Sequence, residues 1–257
     1  MPWTFAHPAA VLPLRRLAPK YLNLPALVCG ALAPDAGYYF GRFDIASFAH
    51  TAVGSVLAGV PIGLLGLLLF HAIREPLWFL LPQPHRSAME PLLRPSPPRG
   101  FVFLLIAALS VLVGVWTHNV WDSFTHDDGW IVSRVPALRN PMLSLGLQDF
   151  LIYNVLQHLS TVGGVAVLLV SYRAWLRRQP KLESERGGDR MRYVSVFGAA
   201  AVSLAIAMVL AHRVSLAYTG ETAFRQFVVQ TAIQGVTVLA ATALLYSAIY
   251  AVRKRIA

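Results

Sequence analysis

A chain of 257 residues that is 56% hydrophobic and only 13% charged falls well below the roughly 25% charge of soluble domains, and its mean hydropathy of +0.55 places it in the membrane class. The net charge of +10 does not read as nucleic-acid binding: no basic face with interleaved aromatics is present, and cations flanking apolar runs are accounted for by topology and lipid headgroups. The single cysteine, Cys29, excludes an internal disulfide and a Cys-based zinc site.

The first stretch, "MPWTFAHPAAVLPLRR", lacks a basic start followed by an apolar core, so it is not read as a signal peptide, and the first apolar helices are expected to direct insertion. Pro8, Pro13, Pro19 and Pro25 break the following region into short pieces. "LNLPALVCGALAP", Leu22–Pro34, is about half a span and reads as a re-entrant or interfacial helix buried against the others. Residues 1–50 are therefore a set of short helices. A bilayer core about 30 Å thick needs about 20 apolar helical residues. Thr51–Phe70, Phe101–Thr117, Phe150–Tyr172, Val194–Ala211 and Phe227–Val252 meet or approach this, and all five lack Asp, Glu, Lys and Arg. Arg74–Gly100 is a Pro-rich linker expected along the membrane surface, and Arg173–Arg192 is a charged cytoplasmic linker. No internal repeat is present. The expected fold is all-α: a polytopic transmembrane helix bundle of about five spans plus short N-terminal helices, forming a single integral membrane domain over residues 1–257.

Positive residues orient the spans. Arg74–Gly100 carries four Arg, Arg173–Arg192 seven Lys or Arg, and the "RKRIA" tail three, whereas Asn119–Asp149 and His212–Gln226 carry two each. The linkers and the C-terminus read as cytoplasmic, and the Trp121 loop as extracytoplasmic. Arg15, Arg16, Lys20 and Arg42, ahead of the first span, run against this assignment unless the half-span at Leu22–Pro34 brings Arg15 and Arg16 inside.

On these spans the histidines gather at one depth. His50 opens the first span, His118 closes the second, His158 lies about two turns into the third, and His212 closes the fourth, all toward the outer side; only His71 and His85 fall on the cytoplasmic side. Polar groups at membrane depth are costly unless paired or facing a cavity, which makes them functional candidates. In "WTHNVWDSFTHDDGW" the spacing i, i+4, i+8 keeps His118, Asp122 and His126 on one helical face, with a drift of about 40° per step. His118-x-x-x-Asp122 can hold one metal ion from successive turns, and imidazole with carboxylate suits zinc, iron or manganese. The same stretch also fits an interfacial helix end within an aromatic belt of Trp116, Trp121 and Trp130. His126 also fits a cation at a helix C-terminus, while Asp127 and Asp128 read as solvated. His7 and Asp35 each fit a helix start, and His50 a cap, when taken alone. Taken together, His7, Asp35, His50, His118 and Asp122 are sufficient for a two-metal hydrolytic site. His158, in "YNVLQHLSTVGG", reads either as a ligand or outer hydrogen-bond donor or as a structural interhelical contact.

The segments "TFAHPAAVLPLRR", "LVCGALAPDAGYYF", "FAHTAVGSVLAGVPIGLLGLLLFH", "WDSFTH" and "LQHLSTVGG" resemble a family of uncharacterised bacterial integral membrane proteins, domain-of-unknown-function family 4184, over nearly the whole chain. The order His, Asp, His, His-x-x-x-Asp is more distantly similar to membrane-bound metal-dependent hydrolases and to the zinc-dependent phospholipase C group, where such residues hold two or three zinc ions in an all-α fold and cleave phosphoesters. The resemblance implies that His7, Asp35, His50, His118 and Asp122 are ligands, that Asp35 doubles as base, and that His126 or His158 supplies a further ligand. The phospholipases finish with a His-x-x-x-Glu pair, whereas His158 is followed at that spacing by Val162, so the third metal position departs from the pattern. The resulting expectation is a multi-pass protein of the bacterial inner membrane, in contact with membrane lipids, with a divalent metal (zinc favoured) at its extracytoplasmic face, hydrolysing a phosphoester for which a lipid is one candidate. Its rivals are a non-catalytic membrane protein whose polar cluster ties helices together or passes ions, and a haem protein using His118 and His158, which the adjacent carboxylates disfavour. The sequence leaves the substrate, the metal and the oligomeric state open.

Overall fold

A computed structural model describes residues 3–93, 100–145, 148–179 and 189–256. A 3-10 helix, Thr4–Ala10, opens the chain, followed by α1 (Val11–Leu17), α2 (Leu24–Leu32), α3 (Ala36–Tyr39), α4 (Phe43–Ala49) and α5 (Ala52–Gly54). A π-helical turn, Ser55–Gly59, leads into α6 (Val60–Leu80), then α7 (His85–Leu93) and α8 (Phe101–Thr125). After a 3-10 turn at Pro136–Arg139, strands β1 (Pro141–Leu145) and β2 (Gln148–Leu151) pair antiparallel. The long helices α9 (Ile152–Leu176), α10 (Asp189–Ser215) and α11 (Gly220–Ile256) complete the chain. Among the described residues, five segments are long and apolar enough to cross a membrane: Ala52–Leu80, Phe101–Thr125, Ile152–Leu176, Asp189–Ser215 and Gly220–Arg255. The protein is thus an all-α, multi-pass helix bundle.

The helices run beyond their apolar centres. Arg74–Leu80 belong to α6 and His85–Leu93 form α7, so the described part of the expected surface linker is mostly helical. Arg173–Leu176 close α9 and Asp189–Arg192 open α10; the centre of the charged linker, 180–188, lies outside the described residues, as do 94–99. Arg and Leu are strong helix formers, and their long side chains let a helix continue past the hydrocarbon while the charges reach water. The hairpin β1–β2 occupies a region that reads from sequence as a plain loop.

The chain divides into two compact units. The first comprises residues 1–37, 42–68 and 98–177 and is centred on α2 packed against α8. Asn23 caps α2, its side-chain oxygen accepting from the Ala26 N–H at 3.0 Å, with Pro25 in the first turn. Two glycines permit close approach: a Cβ on Gly30 would collide with the Val111 carbonyl, and one on Gly114 with the Leu27 carbonyl. In lipid, where apolar burial gives little drive between helices, such contact supplies the dispersion energy. Leu27, Val111 and Val115 are fully buried there. The buried stripe of α8 runs Ala107, Ser110, Val111, Gly114, Val115, His118, Asp122 and Thr125, a helical period in which His118, Asp122 and Thr125 continue the line of the core.

The second unit comprises residues 38–41, 69–97 and 178–257. In it α10 packs along α11 after a short turn in which Gly220 takes φ +58°. Lys254 bridges to Glu75 at 2.6 Å, and the Thr237 hydroxyl donates to the Tyr39 carbonyl at 3.0 Å.

Candidate metal centre

All of the site lies in the first unit. His118 is wholly buried on α8, where its Nδ1 lies 2.8 Å from the Ala31 carbonyl at the end of α2. A carbonyl only accepts, so Nδ1 carries the proton and Nε2 is left as an acceptor in the neutral ring. His50, the C-cap of α4, repeats the device: its Nδ1 donates to the Ala46 carbonyl at 2.8 Å. The two Nε2 atoms then face each other at 3.3 Å. Asn119 fixes the approach of the two segments, its amide donating to the Ala49 carbonyl at 3.0 Å and to the Ser55 hydroxyl at 2.9 Å.

Two carboxylates complete the group. Asp35 Oδ1 lies 3.6 Å from His50 Nε2 and 3.5 Å from His118 Nε2. Asp122 Oδ2 lies 3.4 Å from His50 Nε2 and 3.2 Å from His118 Nε2. The four ligand atoms lie within 4.8 Å of one another. Metal–ligand bonds of about 2.1 Å at tetrahedral angles put ligand atoms about 3.4 Å apart. Charge-assisted hydrogen bonds between imidazolium and carboxylate would be shorter, about 2.7–2.9 Å. The five separations that involve a histidine, 3.2–3.6 Å, match the first spacing, so this buried Asp–His–His–Asp group can hold a metal ion.

His7 adjoins it. Its ring stacks on His118 with centroids 3.8 Å apart, and its Nε2 lies 3.4 Å from the other oxygen of Asp122, Oδ1. His7 Nε2, Asp35 Oδ1 and Asp122 Oδ1 are buried without a hydrogen-bond partner, a costly state for polar atoms unless a cation meets them. Burial, the largest cause, holds the His7 imidazole down at about 4, so it is neutral near pH 7, as a ligand must be.

His126 ends α8 as its C-cap; its Nδ1 lies 3.1 Å from the Asp122 carbonyl and 3.6 Å from Asp122 Oδ2. It flanks the group without facing its centre. His158 is not brought in: it is exposed on α9. The sequence places it near the right depth, but depth does not set the direction a side chain takes around its helix, and α9 turns Ser160 and Gly164 toward the 3-10 helix instead. Sequence reasoning missed Thr4, whose hydroxyl donates to Asp35 Oδ2 at 2.6 Å. Its signal was the Thr4–His7 spacing, since residues i and i+3 eclipse in a 3-10 helix.

The fold and the cluster define a multi-pass membrane protein with a buried His/Asp centre suited to a metal. The chain belongs to the family described as domain of unknown function (DUF4184), whose model matches residues 1–249. No curated protein and no solved structure matches it.

Proposed function

We propose that the protein is a membrane-bound, metal-dependent hydrolase of a phosphoester, with zinc as the metal. The observation that supports it best is the pair of Nε2 atoms 3.3 Å apart, each with its other ring nitrogen committed to a carbonyl, enclosed by two carboxylates. Two imidazoles and two carboxylates in tetrahedral spacing suit zinc. His7 and Asp122, whose Nε2 and Oδ1 lie 3.4 Å apart, would hold a second ion; bound metal would supply Lewis acidity and a hydroxide at neutral pH. Net hydrolysis breaks one P–O bond, with water giving its oxygen to phosphorus and its protons to the products. Asp35 serves as a ligand oriented by Thr4, and the base role read from the sequence would need Oδ2, which the Thr4 hydroxyl occupies. The polybasic linkers and tail favour a bacterial inner-membrane protein with this site on the extracytoplasmic side.

One observation favours a second reading. Four protein ligands around one point make a closed set, and closed sets are characteristic of structural zinc. In that case the ion ties α2, α4 and α8 together and does no chemistry. Metal analysis of the purified protein, with hydrolysis of bis(p-nitrophenyl) phosphate, separates the two. Two equivalents of zinc with turnover are expected; one equivalent with no turnover makes the site structural, and no bound metal overturns both.

A further inference from the structure

A cavity of about 270 Å³ lies against the site. Ala6, His7, Ala9 and Ala10 of the 3-10 helix form one wall, Trp121 of α8 stands at its edge, and Ser160, Gly163 and Gly164 of α9 form the other wall. The lining is apolar apart from His7 and Ser160. Ala6 and His7 are buried, whereas Ala10, Trp121 and Gly163 are exposed, so the cavity deepens from an open rim to a floor at His7. The rim lies on α9, a membrane-crossing helix with 6% of its apolar window buried, and a helix so exposed faces hydrocarbon. Gly163 is 11 residues beyond Ile152, about 16 Å along the helix at 1.5 Å per residue, well inside the apolar layer. His7 thus borders both the slot beside its ring and Asp122 Oδ1, 3.4 Å from its Nε2. Small residues line the slot on both sides, and its volume of about 270 Å³ lies just under the roughly 300 Å³ of the smallest small-molecule pockets. An unbranched alkyl segment matches the size and the apolar lining of this space.

We propose that this slot takes one acyl chain of a lipid phosphoester, entering from the bilayer, so that the headgroup phosphate reaches the metal cluster beside His7. The inference rests on the hydrolase reading for the fate of the phosphate, but not for occupancy of the slot. Dispersion and apolar burial hold the chain, and the polar cluster selects the end of the lipid that carries charge. The substrate class is then a membrane phospholipid, and water-soluble phosphoesters are at best poor substrates.

Gly163 gives the test, because a Cβ there meets nothing within 4 Å and Gly163→Leu fills the slot without a backbone clash. The full-length protein is reconstituted in vesicles containing phosphatidylglycerol with a diazirine in one acyl chain, irradiated, digested and mapped. Labelling is expected on the peptides bearing residues 6–10 and 160–164. It should fall about tenfold in Gly163→Leu, the effect of excluding roughly two methylene groups from an apolar site. Ala10→Leu, on the opposite wall, should act alike, and Val162→Leu, exposed outside the slot, should not. Bound metal is measured in the same samples and should be unchanged in all three, which also shows that they fold. Labelling spread evenly over α9, or equal in Gly163→Leu and parent, overturns the slot. Slot labelling in a parent that binds no metal keeps the slot and overturns the hydrolase reading.

Discussion

His7 lies face to face with His118, ring centroids 3.8 Å apart, yet the two point their Nε2 atoms at different oxygens of Asp122. One carboxylate therefore serves two imidazoles on its two sides. If each side holds an ion, His7→Ala should remove one of two zinc equivalents, while His118→Ala should remove both because it also strips the centre shared with Asp35 and His50. Mass-spectrometric metal counting on the two variants checks this. Equal loss in both would mean a single ion.

The closeness of α2 and α8 makes a second prediction. Ala31, whose carbonyl orients His118, follows Gly30 on α2, and Gly114 of α8 touches the Leu27 carbonyl. Gly114→Leu should push the helices apart, costing about 1–3 kcal/mol of stability as overpacking does, and should lower metal content although no ligand is changed. Thermal unfolding in detergent with metal analysis measures both. Unchanged metal would show that His118 holds its orientation without α2.

Much of this centre was legible in the sequence, and for a specific reason. His118 and Asp122 are one helical turn apart, so their shared face needs no tertiary information. Asp35 and His50 stood out because polar groups beside apolar runs are costly. Their convergence was less legible, since it depends on glycines that let α2 lie against α8 and on Asn119 holding the His50 turn. Thr4 was hard to see because its signal is one i, i+3 spacing to His7 that has meaning only once the segment is known to be a 3-10 helix. His158 misled for the opposite reason: it shows the right depth, but its azimuth on α9 is set by which face the 3-10 helix covers. The five spans were readable from composition, whereas their ends were not, because charged residues can extend a helix without changing its apolar centre.

The cation distribution makes a topological prediction. Arg253, Lys254 and Arg255 form the last turn of the long helix α11, and cations near span ends are retained in the cytoplasm. Alkaline phosphatase fused after the last residue should be inactive and green fluorescent protein fluorescent. Active phosphatase there would place the metal cluster on the cytoplasmic side.

The last prediction compares four carboxylates and a hydroxyl. Asp127 and Asp128 follow the site closely in sequence, but both are exposed, and Asp127 pairs with Arg139 at 3.1 Å. An exposed ion pair contributes about 0–1 kcal/mol, so Asp127→Ala and Asp128→Ala should leave both metal and stability nearly unchanged. Asp122→Ala and Asp35→Ala each remove a buried ligand and should abolish stoichiometric metal. Thr4→Val keeps every ligand and the side-chain shape but takes the donor from Asp35 Oδ2. The carboxylate then loses the bond that orients it, and loss of such an outer partner typically weakens metal binding about 10–100-fold. Thr4→Val should therefore bind zinc at high free concentration and release it to a chelator that leaves the parent loaded. Serine, which restores the hydroxyl without the methyl group, should recover most of the affinity. If Thr4→Val and parent lose zinc at the same chelator concentration, Thr4 does not position Asp35. If Asp127→Ala loses metal as Asp122→Ala does, the ligands have been assigned to the wrong end of α8.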